Sequence, residues 1–270
     1  MRIIEAGNFS EVTDPVKTEE TINLQLIREA ANIHTDYIYV SLPLAWNINQ
    51  EGSQNTQKRI NDICEAHIDE KLFFVCQHIL VDRLNFHGNL VFTPHATLLD
   101  SFIPIPHYSC NYDTSFSRPW NEREYKFSFM GDFGTHQTRK HIYNILKDQP
   151  NTVFIDTKRW HFYSNSKTQS INKKNYIELL GNTKYSLCPR GTGPSTIRIW
   201  EAIAMNSCPI IFSDYLKMPL KLIIKTDLWL KIAEHCVNIK EDYVEDYNNK
   251  EYWDWFSNEN LYKSIVSAIT

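Results

Sequence analysis

Residues 184–214, KYSLCPRGTGPSTIRIWEAIAMNSCPIIFSD, decide the fold that the sequence predicts. The first five, 184–188, are β-prone and end at a proline, after which comes a loop with two glycines. Ser195 or Thr196 is expected to cap a helix that begins there. Cys208–Phe212 then has the short apolar pattern of a buried parallel strand. The stretch therefore predicts a strand, a loop, a helix and a second strand, which is the repeating unit of an α/β fold.

The loop between this strand and this helix has the features of an anion site. Free backbone N–H groups and the positive dipole end at a helix N-terminus attract anions, and Arg190 and Arg198 add full charges. Arg198 and Glu201 are three residues apart, so they share one helical face. The cation suits a phosphate, and the carboxylate suits the hydroxyls of a ribose. The alternative is an ordinary α/β unit on which the two residues form a solvated salt bridge, and the lysine of a Walker loop is absent.

A second glycine loop occurs earlier in the same half of the chain. Residues 125–130 form a predicted strand, Gly131-Asp-Phe-Gly134 a turn, and 136–147 a helix with Arg139 in its first turns. The chain has only 8 glycines, and Gly131, Gly134, Gly191 and Gly193 all fall in these two loops. Because glycine has no side chain, the backbone is expected to approach a pyrophosphate closely at both loops.

The first half of the chain supplies the candidates for a catalytic base. Two short apolar runs, 72–76 and 89–93, are predicted to be buried strands, and each is followed closely by a histidine. An imidazole with a pKa near neutrality is suited to accepting a proton from a hydroxyl. The candidates are His78, placed first, followed by His95, Asp82 and Asp100. For each of them the alternative is a hydrogen bond that serves only the structure.

The remaining pattern gives the coarse secondary structure. Apolar spacing predicts helices over 18–33, 54–70, 227–236 and 261–269. Residues 44–47 are expected to form a loop after a strand at 36–42. The polar stretch 157–174 is expected to be a surface loop, followed by a short helix at 176–180.

Composition sets broader limits. The chain has 270 residues, 42% hydrophobic residues and a formal net charge of −4, which is typical of a globular protein with one large domain or two smaller ones. A mildly acidic chain argues against an extended surface for nucleic acid or anionic membranes. The 6 cysteines form no CxxC pair, which argues against a zinc site and a disulfide framework. With no apolar run of ~20 residues, we expect no transmembrane segment and a soluble, cytoplasmic protein.

The run C-P-R-G-x-G-x-S-x-x-R-x-x-E-A, followed by C-P-I-I-F-S-D, resembles the signature of exostosin-type glycosyltransferases, glycosyltransferase family 47. Ser195, Arg198, Glu201 and Pro209 fall where that family places them. The resemblance implies a GT-B fold, in which two Rossmann-like α/β domains face each other across a cleft. It also implies a nucleoside-diphosphate sugar donor and inversion at the anomeric carbon.

The resemblance divides the chain into parts with separate tasks. Residues 1–120 are expected to bind the acceptor, 121–255 to bind the sugar nucleotide, and 256–270 to form a helix that crosses back to the first domain. The expected donor-binding residues are Gly131, Gly134, Arg139, Arg190, Gly191, Ser195, Thr196, Arg198 and Glu201.

The expected chemistry is transfer of a sugar to a hydroxyl of a glycan acceptor. The resemblance implies a UDP-sugar as the donor, since UDP-sugars are the usual donors of that family. The chain contains no Asp-x-Asp motif for a metal-bound diphosphate, so the arginines and the loop amides are expected to neutralise the leaving phosphate without a metal or other cofactor. Two alternatives stay open. One is a non-catalytic module that binds nucleotide sugars or glycans, and the other is a GT-B enzyme that uses GDP-fucose.

Overall fold

The computed structural model describes residues 1–9, 17–158, 167–219, 230–232, 234, 247, 253 and 255–270, with the backbone alone at 167–169 and 230–232. The described residues fall into two compact units. The first lies within Met1–Tyr108, Tyr215–Leu220 and Trp255–Thr270, and the second within Ser109–Asp214 and Lys221–Asp254.

Each unit is built around its own parallel sheet. The strands of the first unit are β1 (Arg2–Glu5), β2 (Tyr37–Ser41), β3 (Lys71–Val75), β4 (Leu90–Thr93) and β5 (Ile103–Pro104). Those of the second are β6 (Tyr125–Gly131), β7 (Thr152–Asp156), β8 (Thr183–Pro189), β9 (Cys208–Phe212) and β10 (Leu230–Ile232). The helices are α1 (Thr18–Glu29), α2 (Leu44–Ala66), α3 (Gln137–Leu146), α4 (Lys167–Gly181), α5 (Arg198–Ala204) and α6 (Lys263–Ile269).

The sheet of the first unit is covered on both faces. Its strands lie side by side in chain order, β1 to β5. Tyr39 and Phe73 are paired in register and pack with α1 and α6 on one face. Their neighbours Ile38 and Phe74 pack with α2 on the other. Successive residues of a strand point to opposite faces, so the strands are apolar at nearly every position.

The sheet of the second unit contains a reversal of strand order. The order is β10-β9-β8-β6-β7, and the pairings are parallel. From β6 the chain moves outward to β7, then returns to the other side of β6 for β8 and continues to β9 and β10. The reversal therefore lies between β6 and β8. In open α/β sheets, ligands bind outside the carboxyl ends of the strands at such a point.

The predicted α/β class, with two Rossmann-like parallel sheets, is confirmed. The contacts of the chain place the division after Tyr108. Residues 109–120 therefore lie in the second unit, whereas the sequence analysis assigns them to the first domain. Residues 255–270, which contain α6, lie in the first unit. No helix among the described residues is long and apolar enough to span a membrane.

Three local predictions were wrong. Residues 44–47 do not form a loop, because α2 begins at Leu44 and continues past a break at Gly52, where φ is +81°. The backbone N–H of Ala45 in its first turn is bonded to the carboxylate of Glu19, 3.1 Å away. This cap comes from another helix, so no local pattern shows it. Residues 167–174, expected in a surface loop, belong to α4. The backbone at 230–232 is strand β10 and not helix.

Candidate active site

The two glycine loops leave the sheet of the second unit at the reversal of strand order. Residues 131–136 follow β6 and lead to α3, and residues 190–197 follow β8 and lead to α5. β6 and β8 are neighbours in the sheet. The structure thus brings together the two loops that the sequence predicts as a phosphate site. The side chains that decide its chemistry are three arginines, Arg139, Arg190 and Arg198.

Arg139 joins the two loops to each other. Its Nη1 donates to the carbonyl oxygen of Asp132 at 2.7 Å, and its Nε donates to the carbonyl oxygen of Arg190 at 3.1 Å. A Cβ on Gly191 would lie 3.3 Å from Nη2 of Arg139. Gly191 therefore makes room for a guanidinium of the protein itself. Arg139, expected to bind phosphate, uses its Nε and Nη1 to hold carbonyl groups of both loops together.

Arg198 is buried between two aromatic rings. Its guanidinium carbon lies 4.4 Å from the centre of the Phe129 ring and 5.2 Å from that of Tyr176. Nη2 donates to the carbonyl oxygen of Met130 at 2.5 Å, whereas Nε is buried and has no hydrogen-bond partner among the described residues. A Cβ on Gly131 would lie 3.0 Å from Nη2. Because a buried donor without a partner is costly, Arg198 retains a demand for an acceptor.

Arg190 is the least committed of the three arginines. Its Nη2 lies 3.4 Å from the carbonyl oxygen of Thr192, and its Nη1 lies 3.5 Å from Oε1 of Glu234. Both distances are at the long limit for a hydrogen bond. Its Nε is buried without a partner among the described residues. Among the described residues, the Arg190 guanidinium therefore has only long hydrogen bonds and keeps donors for a ligand, and its fork suits two phosphate oxygens.

The pKa shifts show that positive charge is concentrated here. Burial lowers the pKa of Arg139 to about 10, with the charge of Arg198 contributing to the decrease and that of Asp132 opposing it. Burial also lowers the pKa of His136, with Arg190 and Arg139 adding to the effect and Glu234 opposing it. The charged forms of Arg139 and His136 are thus disfavoured by neighbouring positive charge as well as by desolvation. An anion at the reversal point would offset the repulsion between these charges.

Glu201 is not placed as predicted. Its Oε1 accepts hydrogen bonds from the backbone N–H of Asn111 at 2.9 Å and from Nδ2 of Asn111 at 2.8 Å. Its Oε2 accepts from the hydroxyl of Tyr176 at 2.6 Å. Burial raises the pKa of Glu201, opposed by these bonds and by the charge of Arg198. With 2% of its surface exposed, the carboxylate is a buried anchor for residue 111, and the alternative of a solvated salt bridge is wrong. A contact of Glu201 with ribose hydroxyls stays a prediction.

The remaining donor-loop residues have backbone roles. Helix α5 begins at Arg198 with Ile197 at its N-cap and no capping side chain, so the expected cap by Ser195 or Thr196 is wrong. Thr196 instead uses its carbonyl oxygen to accept from the N–H of Ile199. The N–H of Gly134 bonds to the carboxylate of Asp132 at 2.7 Å and closes the turn after β6.

In the first unit, His78 is fully engaged in hydrogen bonds. Its Nδ1 accepts from the N–H of Leu80 at 3.1 Å, and its Nε2 lies 3.1 Å from Oδ1 of Asn49. Because Nδ1 is an acceptor, a neutral ring carries its proton on Nε2 and donates it to Asn49. Burial lowers the pKa of His78, which favours this neutral form. In this arrangement neither nitrogen is available to accept a proton.

The other three candidates for the base differ in exposure. His95 is 7% exposed and packs edge to face on His107, with ring centres 5.1 Å apart. Asp100 accepts from the N–H and hydroxyl of Thr97 and from the N–H of Phe102, so it shapes the loop after β4. Asp82 is exposed in a short 3-10 helix after β3. Of the four candidates, only Asp82 has an exposed carboxylate that makes no such loop hydrogen bonds among the described residues.

One family model matches most of the second unit. The model of the Exostosin GT47 domain matches residues 66–241, which is more than half of the chain. The chain belongs to the exostosin GT47 family. Its members among curated proteins are glycosyltransferases, and the motif that spans β8, α5 and β9 lies inside the match.

Three relatives illustrate the family. The chain is 30% identical over 100 residues to the human ribitol-5-phosphate xylosyltransferase 1, which covers 37% of this chain and 22% of the relative. It is 22% identical over 199 residues to the probable glucuronoxylan glucuronosyltransferase IRX7 of Arabidopsis thaliana, covering 64% and 42%. It is 25% identical over 207 residues to the exostosin-1 homolog of Caenorhabditis elegans, covering 62% and 54%. The chain thus matches about half or less of each relative.

Several residues and their contacts were missed by sequence reasoning. In the second unit, Glu234 ion-pairs with Arg190, and Tyr176 and Asn111 hold Glu201. In the first unit, away from these loops, the buried carboxylate of Glu19 accepts from the backbone N–H groups of Ala45 and Gln77. None of them stands in a recognisable motif. They act through contacts between residues far apart in the chain, which no local pattern reports. Among the described residues, no group of three or more His, Cys, Asp or Glu side chains is placed to hold a metal ion.

Proposed function

We propose that this chain transfers a sugar from a UDP-sugar to a hydroxyl of a glycan acceptor, with inversion at the anomeric carbon and without a metal ion. The supporting observation is the gathering of Arg139, Arg190 and Arg198 around the two loops that leave β6 and β8. Buried cations that raise one another's energy favour an anionic ligand, and the reversal of strand order is where such folds bind one. A diphosphate carries the required charge.

The arginines have separate tasks in this proposal. Arg139 holds the loop carbonyls of residues 132 and 190 and so fixes the shape of the site. Arg190 and Arg198 each keep a buried Nε without a partner among the described residues, and these two groups neutralise the departing phosphate oxygens. Donors that are already oriented for developing charge contribute strongly to catalysis, and removing one typically lowers the rate by ~10²–10³.

Single displacement also requires a base for the acceptor hydroxyl. Of the four candidates, His78 is bonded at both nitrogens, His95 is buried, and Asp100 is bonded to the loop it shapes. We therefore place Asp82 ahead of His78, which reverses the order expected from sequence. The exposed carboxylate of Asp82 follows β3, the same strand end that carries His78.

The experiment is a panel of UDP-sugars and GDP-fucose screened for nucleoside diphosphate release, with and without a glycan acceptor, in EDTA and in Mn²⁺. The proposal predicts acceptor-dependent UDP release in EDTA from one UDP-sugar. Release of GDP alone would transfer the assignment to a GDP-fucose enzyme. Binding of UDP-sugars without release would indicate a non-catalytic module, and activity that requires Mn²⁺ would contradict the metal-independent mechanism.

A further inference from the structure

Glu234 follows strand β10 and contacts three other segments of the second unit. Its Oε1 accepts from the backbone N–H of Asp214 at 3.1 Å, and its own N–H donates to Oδ1 of Asp214 at 2.8 Å. Its Oε2 accepts from the hydroxyl of Thr138 in the first turn of α3 at 3.2 Å. Nη1 of Arg190 lies 3.5 Å from Oε1. One carboxylate thus connects residues that follow β6, β8, β9 and β10.

Among the described ion pairs, Glu234 is the acidic residue that pairs with one of the three arginines, Arg190. The pair with Arg190 is partly shielded, with 21% of the arginine side chain and 16% of the glutamate side chain exposed. Within the part of the chain that the structure describes, the Arg190 side chain otherwise makes only a long hydrogen bond to the carbonyl oxygen of Thr192. A long, flexible side chain with so few contacts loses much rotamer freedom when a ligand orders it. An anchor that orders it beforehand reduces that cost.

We propose that Glu234 is a positioning residue for anion binding: it holds the Arg190 guanidinium in the orientation that receives a phosphate oxygen. This inference rests on the proposed function for the identity of the anion. It assigns no contact between Glu234 and the ligand. The carboxylate acts through Arg190, and its bonds to Asp214 and Thr138 fix where it stands.

Glu234 has two opposite effects on the affinity for an anion, so the sign of the change in affinity tests the proposal. As a negative charge near the site, Glu234 repels an anion, so neutralising it by Glu234→Gln would tighten binding if charge alone mattered. As an anchor, it orders Arg190, so the same substitution would weaken binding. Glutamine keeps the size and one acceptor oxygen, which can still accept from the N–H of Asp214, while the charge of the ion pair and the acceptor for the Thr138 hydroxyl are lost. We expect the loss of order to prevail and the affinity to fall about tenfold, or ~1.4 kcal/mol.

The test measures the affinity for pyrophosphate and for UDP by titration calorimetry in the whole chain. The variants are Glu234→Gln, Arg190→Ala and the double variant. Positioning through Arg190 predicts that Glu234→Gln weakens binding in the wild-type background and changes nothing in the Arg190→Ala background. Glu178→Gln is the control, because it removes the same charge from an exposed pair with Lys174 on α4. It should leave both affinities unchanged.

The outcomes distinguish the role of Glu234 from the proposed function. Unchanged or tighter binding by Glu234→Gln, or an equal loss in the Arg190→Ala background, overturns the role of Glu234 and leaves the proposed function standing. If the wild type binds pyrophosphate but not UDP, the proposed function is contradicted. The pyrophosphate affinities of the single and double variants then still test the role of Glu234. If the wild type binds neither probe, no anion site exists and both claims are overturned.

Discussion

Gly131 and Arg198 fit against each other in the donor site: a Cβ at position 131 would lie 3.0 Å from Nη2 of Arg198. The same guanidinium lies 4.4 Å over the Phe129 ring, so it has little room to retreat. The glycine that sequence reasoning assigned to close approach by a pyrophosphate instead admits an arginine. Arg198 can thereby reach the carbonyl oxygen of Met130, the last residue before Gly131 in β6.

Gly131→Ala should therefore displace the Arg198 guanidinium. We expect it to destabilise the protein by about 1–3 kcal/mol, as overpacking does, and to weaken UDP binding at least tenfold. Denaturant titration and calorimetry measure the two effects. Gly191→Ala is the matched comparison, since its Cβ would lie 3.3 Å from Arg139, and a smaller effect is expected there. Equal UDP affinity in wild type and Gly131→Ala would contradict this account of the glycine.

Tyr176→Phe tests the anchor formed by Glu201. The substitution removes the hydroxyl that donates to Oε2 at 2.6 Å and leaves a buried carboxylate oxygen without that donor. We expect a loss of about 1–3 kcal/mol of unfolding free energy, measured by urea titration. Tyr143→Phe, whose ring packs against Phe133 and Phe154, is the control variant. A loss no larger than that of the control would show that the hydroxyl contributes nothing to the anchor.

Glu19 should make stability depend on pH. Burial raises its pKa from 4.5 to about 8, partly opposed by bonds from Gln77, Ala45 and Cys76. Between these pH values the folded state binds a proton that the unfolded state does not. The free energy of unfolding therefore falls as the pH rises from 4.5 to 8 and levels off above that range.

Glu19→Gln should remove this dependence. The measurement is the difference between wild type and Glu19→Gln in urea-denaturation curves at a series of pH values, which cancels the other titrating groups. We expect the wild type to lose roughly a few kcal/mol relative to the variant across the window, at about 1.4 kcal/mol for each unit of pKa shift. A difference that is flat, or that grows in favour of the wild type with rising pH, would disprove the assignment.

His78 should be a neutral ring with its proton on Nε2 at pH 7. The N–H of Leu80 donates to Nδ1, and burial lowers the pKa below the ordinary value of 6.5. Ring ¹⁵N–¹H correlation spectra report both the tautomer and the pKa, with His78→Gln used for assignment. The same variant should retain transfer activity within about tenfold, since a general base contributes 10²–10⁴. Two results would restore His78 as the base. One is a tautomer with the proton on Nδ1; the other is a larger loss of kcat together with loss of the decrease in kcat at low pH.

Local sequence was sufficient for most of the strands and for the site loops, but not for β10, where a helix was expected. Cys208–Phe212 is short, apolar and bounded by polar residues, and it forms β9 over that range. The glycine loops after β6 and β8 were located for the same reason, because glycine and proline interrupt regular structure locally. The strand order that brings the two loops together is a property of the whole sheet, and no local pattern shows where that order reverses.

The roles of individual side chains could not be predicted. Arg139 was expected to bind phosphate because it is a cation near a glycine loop, but the neighbouring carbonyl groups come from two loops and take its donors. Glu201 was expected to reach a ribose, yet Asn111 lies far from it in sequence and fills its coordination. Glu234 lies where a helix was expected. In each case the partner is distant in the chain, and only the folded structure identifies it.

The central claim is that the arginines around the reversal of strand order bind a diphosphate. The direct measurement is calorimetric titration of UDP into the wild type, Arg190→Ala and Lys140→Ala, where Lys140 is an exposed cation on the same helix as Arg139. The account predicts that the wild type and Lys140→Ala bind UDP equally and that Arg190→Ala binds at least tenfold more weakly. Equal affinity in all three, or no binding by the wild type, would contradict it.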